Sequence, residues 1–314
     1  MKNFKCIKLR INAAADDIIE LPSYKGGILR SAFGNSFRKT LCITNLQTCN
    51  KCMIKDTCLY SYIFESPLCK QSKIFNKYSH VPHPFILTPP LDNARVYKSG
   101  ECFNFEIVLV GDVIEKLPYF IHSIIKMGDM GIGKLRSRFH ITSISNIDEN
   151  YRESEIVFKD EKLFPVTKFL TFEKAQKIAS EYTKDYIKMY FVTPVRIQFK
   201  GSLCESLNFE IFINNCFRRL TSLLYFYCND NSPSYFKDEI QIDKNIHVVD
   251  NNLIWHNWDR YSARQKRRMK LGGLIGNICF KGDFKNIIPY LIACSWIHIG
   301  KGTTFGMGKY IIQV

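Results

Sequence analysis

The sequence predicts an α+β protein of two tandem ferredoxin-like (RRM-like) domains, the first interrupted by a four-cysteine metal knuckle. Three observations carry that reading. The chain has 314 residues, a length that favours two domains. The second half repeats landmarks of the first in the same order. Between those landmarks the apolar pattern of each half runs strand, helix, strands, helix, glycine loop, strand, which is the β-α-β-β-α-β order of a ferredoxin-like unit.

The landmarks run as follows. Ser36-Phe37-Arg38-Lys39 follows a strand-like segment from Phe4 to Ile11, and Cys216-Phe217-Arg218-Arg219 follows one near Val195 to Lys200. Pro118-Tyr119-Phe120-Ile121 is echoed by Pro289-Tyr290-Leu291-Ile292, each within an apolar stretch of helical spacing. Each stretch leads into a glycine cluster, Gly128 to Lys134 and Gly300 to Lys309. Each cluster leads into a strand-like run, Phe139 to Ile144 and Tyr310 to Val314. Three echoes in one order indicate duplication. The boundary is expected in the polar stretch Asn146 to Glu155, giving domains 1–150 and 151–314. A four-stranded sheet of this kind leaves one face open, a geometry that RNA-recognition modules use.

A hydrophobic fraction of 46% with 23% charged residues excludes a disordered chain. Lys plus Arg number 44 against 29 acidic residues, a formal net charge of +15. A chain this basic is suited to a polyanion, and the 24 Phe and 16 Tyr can supply stacking surfaces as well as core. Charges interrupt every apolar run near the N-terminus, so no secretory h-region is read there. The longest apolar stretch, Ile287 to Ile299, is too short to span a bilayer. A cytoplasmic protein without a membrane partner is expected.

Twelve cysteines without a secretory signal point to metal or burial rather than disulfides. Cys42, Cys49, Cys52 and Cys58 place four thiols in a short polar stretch, with a CxxC at its centre. Four thiolates satisfy a closed tetrahedral zinc, so a structural zinc site is expected there. Iron–sulfur clusters use related spacings. Cys69 is a spare ligand with poorer spacing. Cys6, Cys102, Cys204, Cys216, Cys228, Cys279 and Cys294 lie in apolar segments and are expected in the core.

The run from Gly300 to Lys309, GKGTTFGMGK, fits neither a Walker loop nor a dinucleotide fingerprint, because it follows a helix and opens a strand. Gly300, Gly302, Gly306 and Gly308 would let the main chain approach a phosphate closely, with Lys301 and Lys309 supplying charge. The earlier loop, with Lys134, Arg136 and Arg138, reads likewise. Between Trp255 and Lys270 six basic residues crowd positions 260–270, and no acid occurs between Asp259 and Asp283. Falling between the second and third strands of its half, this segment predicts a basic hairpin on RNA, carried by Arg260, Arg264, Arg267 and Arg268.

These motifs together carry a resemblance. LPSYKGGILRSAFGNSFRKTLC, the four cysteines, CLYSYIFESP, VTPVRI, WHNWDRYSARQ, LGGLIGNICFKGD and HIGKGTTFGMGKY resemble the CRISPR-associated endoribonucleases of the RAMP superfamily that process precursor CRISPR RNA. The likeness extends from about Leu21 to Lys309. It implies tandem ferredoxin-like domains, CRISPR repeat RNA as partner, and antiviral cleavage with no catalytic metal. It also implies attack of a ribose 2′-hydroxyl on its own 3′-phosphate, leaving a cyclic phosphate and a 5′-hydroxyl. A noncatalytic RAMP subunit holding guide RNA beside other effector-complex subunits is the alternative.

Such chemistry needs a base, an acid and cations. Some relatives keep a catalytic histidine in or near the first helix, but here none precedes His80. Of the seven histidines, His80 and His83 read as loop, His122 as packed, and His140 and His247 as strand. His298 stands where a helix ends at the second glycine loop, and a helix C-terminus favours imidazolium. His298 is therefore the first candidate for the base and His256 the second, with Tyr261 and Lys301 as helpers.

Overall fold

A computed structural model describes residues 1–46, 48–65, 81–230, 240–262 and 267–313, with backbone alone for 259–262 and 267–270. In the first half β1 (Lys5–Ala15) leads to α1 (Gly26–Leu41). Leu29, Phe33 and Phe37 recur every fourth residue of α1 and are all buried, one apolar stripe of an amphipathic helix. Then come β2 (Phe85–Thr88), β3 (Cys102–Val110), α2 (Leu117–Met130) and β4 (Phe139–Ile147). Pro118 occupies the first turn of α2, where its missing N–H costs nothing. The second half repeats the order with β6 (Tyr186–Val195), α4 (Phe209–Tyr227), β7 (His247–Ser262), β8 (Arg267–Lys281), α5 (Ile288–Ile297) and β9 (Tyr310–Gln313). Asn208 caps α4, its Oδ1 accepting the Ile211 amide at 2.8 Å.

The sheets are antiparallel and share one topology. The first runs β2-β3-β1-β4 and the second β7-β8-β6-β9. In each half the first and third strands are therefore central, as the β-α-β-β-α-β connection requires.

Two expectations shift. The stretch around 150 is no linker, because β5 (Glu153–Lys159) pairs on β4, and Leu170–Thr171 pairs with the start of β1. The first sheet thus continues past the expected boundary, and α3 (Phe172–Ser180) begins the passage to the second half. The strand read near Val195 to Lys200 is β6, which ends at Val195, and Gln198–Phe199 forms a separate short pair with Ser202–Leu203.

The apolar run Ile287 to Ile299 has a structural cause. α5 lies under the second sheet, where the Tyr310 hydroxyl donates to Leu291 O at 2.5 Å, and it also packs on β1 and β3 of the first sheet. A helix covered on both sides is apolar all round. The first sheet therefore buries its outer face against the second half, whereas the second sheet leaves its own outer face open. Among the described residues no helix is long and apolar enough to cross a membrane.

Candidate nucleic-acid interface

The second glycine loop is a wedge between the halves. Gly300, Gly302, Gly306 and Gly308 all have φ between 75° and 83°, the left-handed region open to glycine. A Cβ on Gly308 would lie 1.8 Å from Ile299 O, and one on Gly306 would lie 2.7 Å from Leu87 O of β2. The main chain is tied down by its own bonds. Ile299 N donates to Gly308 O at 3.1 Å, Lys301 N to Arg196 O at 2.7 Å and Gly308 N to Pro194 O at 3.0 Å. On the other side Phe305 O accepts the Tyr24 hydroxyl at 2.9 Å and lies where a Cβ on Gly26, the first residue of α1, would come within 2.0 Å.

These contacts correct part of the sequence reading. Gly306, Gly308 and Lys309 are buried and face protein. Their glycines serve the docking of the loop, and Lys309 Nζ pairs at 2.6 Å with Glu106 of β3. Lys301 is exposed, and Gly300 and Gly302 are half-buried, so these three remain able to meet a ligand.

His298 is also corrected. It caps α5 with φ 52°, yet its side chain is 0% exposed beneath the loop, with Nδ1 3.2 Å from Met307 O. Burial holds its pKa well below the usual imidazole value, and the nearby Lys309 and Lys8 ammonium groups push the same way. The favourable helix-end field is outweighed by desolvation and two cations. A buried imidazole cannot reach a substrate phosphate, so His298 is a core residue.

Glu106 is the charge that this layer was built around, and the sequence reading missed it. Burial raises its pKa, but Lys309 and Lys8 outweigh burial and bring it down to about 2. Arg10 donates to its second oxygen at 3.2 Å. Lys8, also buried, lies 4.3 Å from the centre of the Tyr151 ring. An acid directly before the apolar run Ile107 to Val110 was the signal available.

The hairpin is present as β7 and β8, paired from His247↔Lys281 out to Ser262↔Arg267 with one register shift between Val248 and Asp250. Only the segment from Leu274 onward also pairs with β6, so the distal part projects from the sheet. Arg264 lies outside the described residues. Of Arg260, Tyr261, Arg267 and Arg268 the structure describes the backbone, which places them on the projecting arms. The arm is anchored to the first half by Trp258, whose ring lies 4.3 Å from that of Tyr24. Both aromatics stand in the quoted motifs, but their meeting is a non-local contact. His256 is exposed on β7.

The first glycine loop keeps its expected basic character. Lys134, Arg136 and Arg138 are exposed, and Arg138 pairs with Asp17 at 3.4 Å. A Cβ on Gly133 would meet Glu20 O at 3.1 Å. Residues 20–26 are thus flanked by both glycine loops, the first at Glu20 and the second at Tyr24 and Gly26. Of the remaining histidines, His122 is exposed rather than packed, His140 pairs with Asp16 at 2.6 Å, and His80 lies outside the described residues.

Cys42, Cys49, Cys52 and Cys58 line one small cavity, with Tyr60 and Thr44. Thr44 Oγ1 sits between two of them, 3.8 Å from Cys42 Sγ and 3.5 Å from Cys52 Sγ. Burial raises the Cys42 thiol, but bonds from Thr44, Asn45 and Arg38 outweigh it and lower its pKa. The donor chemistry suits a soft metal. Among the described residues no three ligating groups are gathered as a closed site. Cys69 lies outside the described residues. Cys6, Cys216, Cys228 and Cys294 are buried as expected, whereas Cys102 is exposed and Cys204 and Cys279 are half-buried.

The AF_1859_N family of N-terminal domains matches residues 4–169, and the family of the CRISPR-associated endoribonuclease Cas6 matches residues 189–310. The second half of the chain thus carries a Cas6 endoribonuclease domain. The Cas6 match takes in the hairpin, α5 and the second glycine loop. An uncharacterized protein of Archaeoglobus fulgidus is 24% identical over 297 residues, covering 93% of each chain. Among solved structures, a Thermus thermophilus Cas6 product complex aligns over 98% of this chain and 100% of its own, with TM-score 0.59 and 12% identity. A partial Cas6-RT-Cas1–Cas2 complex aligns over 99% of this chain with TM-score 0.58 and 16% identity. This chain spans 46% of that polypeptide's length. At such identities the structural likeness speaks for the fold.

Proposed function

We propose that this chain cuts precursor CRISPR RNA within its repeats without a catalytic metal. A ribose 2′-hydroxyl attacks its own 3′-phosphate, the bond from phosphorus to the 5′-oxygen breaks, and a 2′,3′-cyclic phosphate and a 5′-hydroxyl remain. The 2′-proton passes to a base, and the leaving oxygen takes a proton from an acid. The observation that carries the reading is the wedge itself: the loop that closes the matched Cas6 domain is seated on the start of α1. There the exposed Lys301 brings positive charge to the phosphorane oxygens, and Gly300 and Gly302 admit the phosphate backbone. With His298 in the core, His256 becomes the candidate for proton transfer and Tyr261 its helper. Arg260, Arg264, Arg267 and Arg268 hold the repeat from the hairpin, and Lys134, Arg136 and Arg138 hold it from the first loop. The setting is cytoplasmic, with effector-complex subunits receiving the product.

One observation favours a second reading. No histidine stands in α1, and the histidine at the loop is buried. A noncatalytic subunit that holds guide RNA needs neither. A repeat RNA with deoxyribose at the cleaved nucleotide separates the readings: the nuclease binds both RNAs and cuts only the ribose form, whereas the subunit binds both and cuts neither.

The cysteine cluster belongs to the same proposal as a structural zinc knuckle between α1 and β2. Cys42, Cys49, Cys52 and Cys58 would hold the ion once the Thr44 hydroxyl turns out of the cavity. Zinc there supplies stability to the loop and no step of the cleavage.

A further inference from the structure

The outer face of the second sheet takes no part in the wedge or the hairpin tip. Along its central strand β6, Ile187, Met189 and Phe191 are buried beneath the helices. Alternation therefore places Tyr186, Lys188 and Tyr190 together on the opposite face. Register sets Asn277 of β8 and Ile311 of β9 beside Tyr190, and Gln313 beside Lys188. Tyr186 is 41% exposed and Tyr190 half-buried. Each ring has a lysine against it, Lys184 Nζ at 5.7 Å from the Tyr186 centroid and Lys188 Nζ at 5.4 Å from that of Tyr190. The Tyr190 hydroxyl donates to Gln313 Oε1 at 3.2 Å, which fixes the ring.

The neighbouring carboxylates have bonds of their own, although the Asp250 charge also acts on Lys188. Asp185 pairs with Lys281 at 3.3 Å, and Asp250 accepts the Asn252 amide at 3.0 Å. Among the described residues neither Lys184 nor Lys188 is paired with a carboxylate. Two aromatic rings, each with an ammonium group beside it, match the two chemical parts of an unpaired nucleotide, a flat base and an anionic phosphate.

We propose that this face binds a single-stranded RNA segment, its bases stacking on Tyr186 and Tyr190 and its phosphates meeting Lys184 and Lys188. The inference rests on RNA being the substrate and identifies the part bound, an unpaired flank of the cleaved site. Residues four apart on a strand are about 13 Å apart, so an extended strand passes one ring, a lysine and the other ring in turn. The geometry also leads there from the wedge. Arg196 O holds the Lys301 amide, and Tyr190 lies six residues back along the same chain segment, roughly 20 Å away.

The test measures binding, on RNA that cannot be cut, so its failure is separate from a failure to cleave. The full chain is titrated with a short oligouridine and with repeat RNA carrying deoxyribose at the cleaved nucleotide. Tyr190→Ala should weaken oligouridine binding roughly five- to hundredfold, the range for losing one stacked base, while Tyr190→Phe retains it. Tyr186→Ala, at a more exposed ring, gives the same direction if Tyr190→Ala unfolds. Lys188→Ala should lower the log–log salt slope by about 0.7, as one phosphate contact on a single strand does. Ultraviolet crosslinks should fall on the Tyr186–Val195 peptide. Unchanged oligouridine affinity in folded Tyr186→Ala and Tyr190→Ala overturns the proposal. So does unchanged affinity with a shift in sedimentation, which would assign the face to a second copy of the chain.

Discussion

Replacing Glu106 by Gln should destabilise the protein by about 3 kcal/mol at neutral pH. The carboxyl is held at about 2 against an ordinary glutamate value of 4.5, and that difference converts to about 3 kcal/mol at 1.36 kcal/mol for each pKa unit. The group is 10% exposed, so solvent screening removes little of it. Breaking a buried ion pair costs a similar ~3–5 kcal/mol, because the remaining charge loses its partner. The sign follows from the lowered value. The stabilisation is fully present above about pH 4.5 and is lost as pH falls toward 2, where both states hold the proton. Urea unfolding of wild type and Glu106→Gln across that range measures it, with Lys309→Met completing a double-mutant cycle. Equal stabilities at neutral pH, or a gap that stays constant down to the lowest pH at which both fold, would refute the reasoning.

Three further outcomes are expected. His298 is neutral in the folded state with its pKa lowered from 6.5, so it costs stability as pH falls below about 6.5; His298→Gln should flatten unfolding free energy between neutrality and pH 5 and leave the cleavage rate of the folded enzyme within a few-fold. Arg260, Arg264, Arg267 and Arg268 changed together to Ala should weaken repeat-RNA binding and reduce its salt slope by somewhat under about 1 for each lost phosphate contact. Metal analysis should find one zinc for each chain, lost in Cys49→Ser with Cys52→Ser, and visible absorbance would instead indicate an iron–sulfur cluster.

The element order and the likeness of the two halves were legible because apolar spacing and glycine loops are local signals. The start of β6 was misplaced for a physical reason. Pro194 reads as a strand breaker, but it sits at a register shift between Phe191 and Val195, where the ladder asks for no amide. The polar stretch around 150 read as a linker because edge strands such as β5 need little apolar surface. The exposure of Lys301 and of the basic first loop was legible from charge. The burial of His298 and Lys309 was not, since it depends on the first half closing over the loop. The Glu106–Lys309 pair joins residues 203 positions apart, and no local pattern announces such a contact.

The most direct measurement is a single-turnover cleavage assay of the purified chain on its cognate repeat RNA in excess EDTA. The account predicts one cut in each repeat at a rate unchanged by the chelator, with a 2′,3′-cyclic phosphate on the upstream fragment. His256→Ala should slow that cut by roughly 10²–10⁴-fold, the scale of a lost general acid or base. Tight binding with no cleavage, or cleavage of the deoxyribose-substituted repeat, would contradict it.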